Sequence, residues 1–191
     1  MNYRMIFSTV GKVLIVQAVA FALPFVVSLC YGEFMTMLWF GLSALIALAV
    51  GFGFIYFIKP KNTVIYSKEG LITVALTWVF MSAIGALPFV MSGAIPSYVD
   101  ALFETVSGFT TTGSSILADV ESLSHAAIFW RSFTHWIGGM GVLVFLLAVV
   151  QMSGGSSINL MKSESPGPSV GKLVPKMKHT ARILYFIYLA L

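Results

Sequence analysis

One stretch decides the reading of this chain: Glu104-Thr-Val-Ser-Gly-Phe-Thr-Thr-Thr-Gly-Ser-Ser115, where hydroxyl side chains and glycine interrupt a strongly apolar sequence. It is either a surface loop or polar backbone held inside a membrane. Its surroundings set the class. The chain has 191 residues, 58% hydrophobic and only 9% charged. A water-soluble domain of this size carries roughly a quarter charged residues, so a soluble fold is excluded. The expected class is an all-α integral membrane protein. A single cysteine, Cys30, rules out an internal disulfide framework, and no Cys/His spacing suggests a metal site. Cys30 closes an apolar run and is expected to pack as a small hydrophobe.

A membrane-crossing helix needs about 20 apolar residues. Four windows meet this, near 10–30, 35–58, 70–92 and 129–151. Arg4 and Lys12 flank the first run as in a secretory signal, but no small-x-small cleavage site follows, so it reads as a retained span. A fifth apolar run begins near Ala181 and meets the chain end at Leu191. At about 1.5 Å per residue it is too short to cross, so 181–191 reads as the truncated start of a further helix and the sequence as a fragment. Between them, 152–180 is a polar connection punctuated by Pro and Gly.

Basic residues set the expected orientation. Arg4, Lys12, Lys59, Lys61, Lys68, Lys162, Lys172, Lys176, Lys178 and Arg182 fall on one side, and of the 11 Lys+Arg only Arg131 falls on the other. The first side is expected to be cytoplasmic, with the N-terminus on it. Glu33, Asp100, Glu104, Asp119 and Glu121 lie on the outer side. They would concentrate cations at an outer mouth, or simply solvate a loop.

The segment 91–128 leaves from the outer face and returns to it. Within it, residues 98–108 read as a short helix, started by Pro96 and Ser97, with Asp100 and Glu104 in its first half to complement the helix dipole. Val99, Leu102, Phe103 and Val106 fall on one helical face, and Gly108 reads as the stop. About ten residues give roughly 15 Å, half a bilayer. Irregular backbone at such depth is tolerated only when buried in protein or lining a wet cavity. Hydroxyls on Thr110, Thr111, Thr112 and Ser114, with the freedom of Gly113, suit carbonyls turned toward a dehydrated monovalent cation. An ordinary extracellular loop has a similar composition.

Two motifs are more specific. Phe103-Glu-Thr-Val-Ser-Gly-Phe-Thr-Thr-Thr-Gly-Ser114 and Phe129-Trp-Arg-Ser-Phe-Thr-His-Trp-Ile-Gly-Gly-Met-Gly141 resemble the first pore repeat of a Trk-type potassium-uptake transporter, in the Trk/Ktr/HKT superfamily. Glu164-Ser-Pro-Gly-Pro168 is similar to the family's connection into its second repeat. The resemblance covers essentially the whole chain. It implies a helix pair over 1–69 and a helix–pore loop–helix repeat over 70–151, with a filter at 110–114. The linker 152–180 and the start of a second repeat at 181–191 would follow. In the family, four such repeats in one chain surround a single pore.

Carried onto this sequence, the resemblance makes Thr110, Thr111, Thr112, Gly113 and Ser114 a potassium-binding filter wall, with the carbonyls of Thr111 and Thr112 facing the ion. Gly113 takes the filter-glycine position, where serine in the family tends toward sodium. Glu104 lies on the pore helix without direct ion contact. Trp130 and Trp136 take interfacial or packing roles. Arg131 pairs with Glu104, Asp119 or Glu121, or snorkels to the interface. Gly138, Gly139 and Gly141 allow close helix packing.

The resemblance further implies potassium uptake across the cytoplasmic membrane, by passive or ion-coupled (symport) flux, with potassium as cargo and no organic cofactor. It also implies a cytoplasmic nucleotide-binding regulatory subunit and a homodimer in a lipid bilayer. No nucleic-acid partner is indicated. A non-conducting scaffold subunit is the alternative. An intramembrane enzyme using Ser114 or Ser115 with His125 or His135 lacks both a nucleophile elbow and an acid–histidine spacing. His135 reads as a packed helix residue, and His125 and His179 as exposed loop positions.

Overall fold

The structure is a computed structural model that describes residues 2–58 and 67–151 together with Phe186 and Tyr188, and every regular element among these residues is helical. The expected connection over 152–180 and the helix start over 181–191 lie outside the described residues, apart from Phe186 and Tyr188. So do Lys59, Lys61 and His179.

Helices α1 (Tyr3–Ala20) and α2 (Ala22–Cys30) form one bent crossing of 28 residues. The bend at Phe21 follows from Pro24, which has no N–H to give the carbonyl of Ala20. Helix α3 (Phe34–Phe57) returns. Helices α4 (Ser67–Gly85) and α5 (Leu87–Met91) repeat the first arrangement, with Pro88 bending the crossing at Ala86. Three helices among the described residues are therefore long and apolar enough to cross a membrane.

Helix α6 (Tyr98–Phe109) has 12 residues, and α7 (His125–Gln151) has 27. The latter begins at His125 rather than near 129, because Glu33 supplies the acceptors its first turn needs. At Gly141 the backbone leaves helical geometry (φ 71°, ψ 157°), a conformation essentially confined to glycine. The three glycines expected to share a packing role thus divide. Gly138 and Gly139 sit where added side chains would strike neighbours, whereas Gly141 breaks the helix.

Helices α1 and α3 cross in close contact. A Cβ on Gly11 would lie 2.7 Å from the carbonyl oxygen of Gly51, and one on Gly51 2.8 Å from that of Gly11. Small residues permit such backbone approach in membranes. Farther along, Trp130 of α7 is completely buried. Its ring centroid lies 4.5 Å from that of Phe21 at the α1–α2 bend, with Phe40 and Phe109 edge-on at 6.3 Å. The indole N–H donates to the carbonyl of Gly85, next to the α4–α5 bend, at 2.9 Å. One aromatic side chain therefore ties the α1–α2 bend, α3 and the end of α4 to α6.

One expectation fails here. Cys30 is exposed, because the end of α2 that carries it and Leu29 faces away from the neighbouring helices. Three of the four residues on the apolar stripe of α6 are exposed, Val99, Phe103 and Val106 at 72%, 47% and 40%, while Leu102 is half-buried against the core. Ala101, Glu104, Thr105 and Gly108 are buried instead. The polar residues find hydrogen-bond partners within this chain, which leaves the apolar stripe free to face hydrocarbon or further protein.

Candidate functional site

Ser97 caps α6, accepting the N–H of Asp100 at 3.4 Å, and Asp100 sits in the first turn at the positive end of the dipole. The other end closes in an unusual way. Gly108 is not the stop. The helix continues to Phe109, and the N–H of Thr111 returns to the carbonyl of Gly108 while that of Thr112 returns to Ser107, both at 3.0 Å. This pair of bonds is the Schellman closure, which places its left-handed residue at Thr111 (φ 57°). Glycine normally fills that position, and a β-branched residue there is strained. Gly108 is needed for another reason: Thr134 of α7 occupies the space a side chain would take.

Beyond the closure, residues 110–116 are exposed and non-helical. Their backbone is sorted by polarity. The N–H groups of Thr110, Thr111, Thr112 and Gly113 all turn back to carbonyls of Val106, Ser107 and Gly108. The carbonyls of the same four residues accept no hydrogen bond among the described residues. Gly113 also takes a positive φ, 75°. The hydroxyls of Thr110 and Thr112 lie 2.8 Å apart, and that of Thr110 donates to the carbonyl of Val106. Ser114 differs from the other four, because its carbonyl accepts the hydroxyl of Ser107 at 2.6 Å.

The returning limb is held by Glu104, which is 1% exposed. Its carboxylate accepts the hydroxyl of Ser115 at 3.0 Å, the N–H of Ile116 at 3.1 Å, and Nε of Arg131. Of the three acids available to Arg131, the structure selects Glu104. On α7, the hydroxyl of Thr134 and Nδ1 of His135 both donate to the carbonyl of Arg131. Trp136 stacks on Phe133 at 5.4 Å.

A second tie joins the α2–α3 turn to α7. Glu33 accepts the N–H groups of His125 and Ala126, at 2.8 and 3.2 Å, and His125 Nδ1 lies 3.0 Å from the same carboxylate. Tyr31 stacks flat on the imidazole at 3.9 Å. Burial raises the pKa of Glu33, but the hydrogen bonds and charge of His125 and the N–H of Ala126 outweigh it, leaving the carboxyl below its ordinary value. His125 is thus exposed as expected, yet it opens a helix rather than sitting in a loop. Neither His125 nor His135 bonds Ser114 or Ser115, and no cluster of metal-binding side chains occurs among the described residues.

Bent crossings, a half-length helix and an oxygen-rich segment define a multi-pass helical membrane protein. Residues 40–191 match the TrkH family of cation transport proteins, and the chain belongs to that family. The Trk system potassium uptake protein TrkH of Escherichia coli K12 is 34% identical over 197 aligned positions, covering all of this chain and 40% of that protein. TrkG of the same strain is 36% identical over 167 positions, 86% of this chain and 34% of TrkG. The crystal structure of the potassium transporter TrkH from Vibrio parahaemolyticus superposes with a TM-score of 0.77 at 29% identity, over all of this chain and 38% of that one. The chain spans about two fifths of the length of the curated relatives it matches. It is a multi-pass membrane protein of a transporter family, not an enzyme.

Proposed function

We propose that residues 110–114 form one wall of a potassium-selective filter, the first of four. Thr110, Thr111, Thr112, Gly113 and Ser114 line it, and the carbonyls of Thr111 and Thr112 face the ion. The observation that carries this reading is the sorting of the backbone: four N–H groups are turned onto α6, and four carbonyls accept no hydrogen bond among the described residues. Such a surface replaces the oxygens of a cation's hydration shell. The names of the E. coli relatives support potassium as the cargo. In this reading α4 to α7 are the first pore repeat, and the preceding helix pair buttresses it through Phe21 and Phe40.

The protein would reside in the cytoplasmic membrane with its N-terminus inside, as the distribution of Lys and Arg favours. A cytoplasmic nucleotide-binding subunit and a second copy of the complete protein would be its partners. Flux through the wall is either passive or coupled to a second ion.

The test is Gly113→Ser in the gene expressed in full in cells lacking their own potassium uptake. Rubidium uptake measured against competing sodium should lose part of its preference for the larger ion. Unchanged selectivity refutes the filter assignment. Uptake that never depends on the protein favours the scaffold role.

A further inference from the structure

We propose that Glu104 and Arg131 are positioning residues that set ion discrimination by holding the returning limb of the filter and by keeping its rear face electrically neutral. The proposal rests on the filter reading above. Four carbonyls can select by size only if they are held, and Thr110 to Gly113 are tied to α6 only through their N–H groups and the hydroxyl of Thr110. The other end is fixed by three consecutive residues. Ser107 holds the carbonyl of Ser114, and Glu104 holds the hydroxyl of Ser115 and the N–H of Ile116. Ser107 and Glu104 are three apart on α6, so both project from one face.

That face meets α7 along a matching row. Arg131 binds Glu104, Thr134 fills the space beside Gly108, and Gly138 lies against the carbonyls of Phe109 and Gly108. A displacement of α7 would therefore reach the limb through the carboxylate.

Charge supplies the second half of the argument. Glu104 is almost wholly buried and Arg131 largely so. Each would be an uncompensated charge in a poorly screened place if its partner were neutral. An unpaired guanidinium behind the wall opposes any cation, and an unpaired carboxylate favours every cation without regard to size. The two single neutralisations thus predict opposite effects on cation affinity and the same effect on discrimination. A merely structural pair would not do this.

The experiment measures rubidium uptake, with and without competing sodium, in the gene expressed in full, alongside the amount of protein in the membrane. Glu104→Gln should raise the apparent KM for rubidium, Arg131→Gln should lower it, and the double variant should return it toward wild type. Discrimination should fall about tenfold in each single variant, the equivalent of one charge-assisted hydrogen bond. Arg131→Lys, which keeps the charge and a donor, should retain most of it. If a single variant fails to reach the membrane, the double variant and Arg131→Lys decide.

KM shifts of the same sign in both single variants, or unchanged discrimination at normal abundance, overturn the proposal. If Gly113→Ser alters discrimination while the paired variants do not, the clamp is wrong and the filter stands. If none of them alters it, the filter reading itself has failed.

Discussion

Gly138→Ala is the most direct probe of the seam between α6 and α7, and Gly53→Ala is its control. Within a helix alanine is favoured over glycine by about 1 kcal/mol. Gly53, in α3, has nothing within 4 Å of an added Cβ, so that gain should appear nearly whole. At Gly138 the added carbon would strike the carbonyl oxygen of Phe109, lie 2.8 Å from its carbonyl carbon and 3.1 Å from the oxygen of Gly108. These are backbone atoms and cannot rotate aside. Restoring ordinary contact at about 3.5 Å requires α7 to retreat by roughly 1 Å. The Arg131–Glu104 bond lies along the same seam and would lengthen with it.

Overpacking of this kind costs about 1–3 kcal/mol. Set against the gain in propensity, the net effect at Gly138 is a loss of up to about 2 kcal/mol. Thermal or denaturant unfolding of the two variants in one detergent should therefore move their midpoints in opposite directions. Equal stabilisation of both would show that α6 and α7 do not meet as described.

Thr111→Gly removes a β-branched residue from left-handed geometry worth about 1–2 kcal/mol, offset by roughly 0.5–1 kcal/mol of lost chain restriction. No hydrogen bond of the Thr111 hydroxyl is sacrificed, so unfolding midpoints should stay level or rise; a clear fall would contradict the closure. The depressed pKa of Glu33 gives a pH dependence of known sign. The ionised carboxylate stabilises the fold above its ordinary pKa of 4.5, and that contribution is lost as pH falls through the lower folded value. Wild-type stability should thus drop across acidic pH more steeply than that of Glu33→Gln, and matching profiles would discount the tie to α7.

The crossings, the half-length helix and the hydroxyl-rich segment were legible because each is written in a continuous run: apolar length, a starter at Ser97, and polar residues where apolar ones should continue. What the run does not encode is which distant residue answers which. Arg131 had three candidate acids, and packing of α6 on α7 selected the one 27 positions away. Glu33 and His125 are 92 positions apart, and no local pattern joins them. The helix stop was misplaced because Gly108 has the residue type of a cap. The space it yields to Thr134 is a tertiary demand, and the cap itself fell to a threonine. The apolar stripe of α6 does not itself say what it meets: in a membrane protein apolarity marks contact with lipid as readily as with the core.

The polarity-sorted backbone of residues 110–113 has a consequence for what the surface tells an ion about its sign. With those N–H groups turned away, the peptide groups of this edge offer an ion carbonyl oxygen rather than N–H. Attraction for cations and refusal of anions need no charged side chain on that edge. Peptide oxygens neither gain nor lose protons in the range where proteins survive. In the proposed filter, the edge's own preference for cations is the same in acid and in alkali.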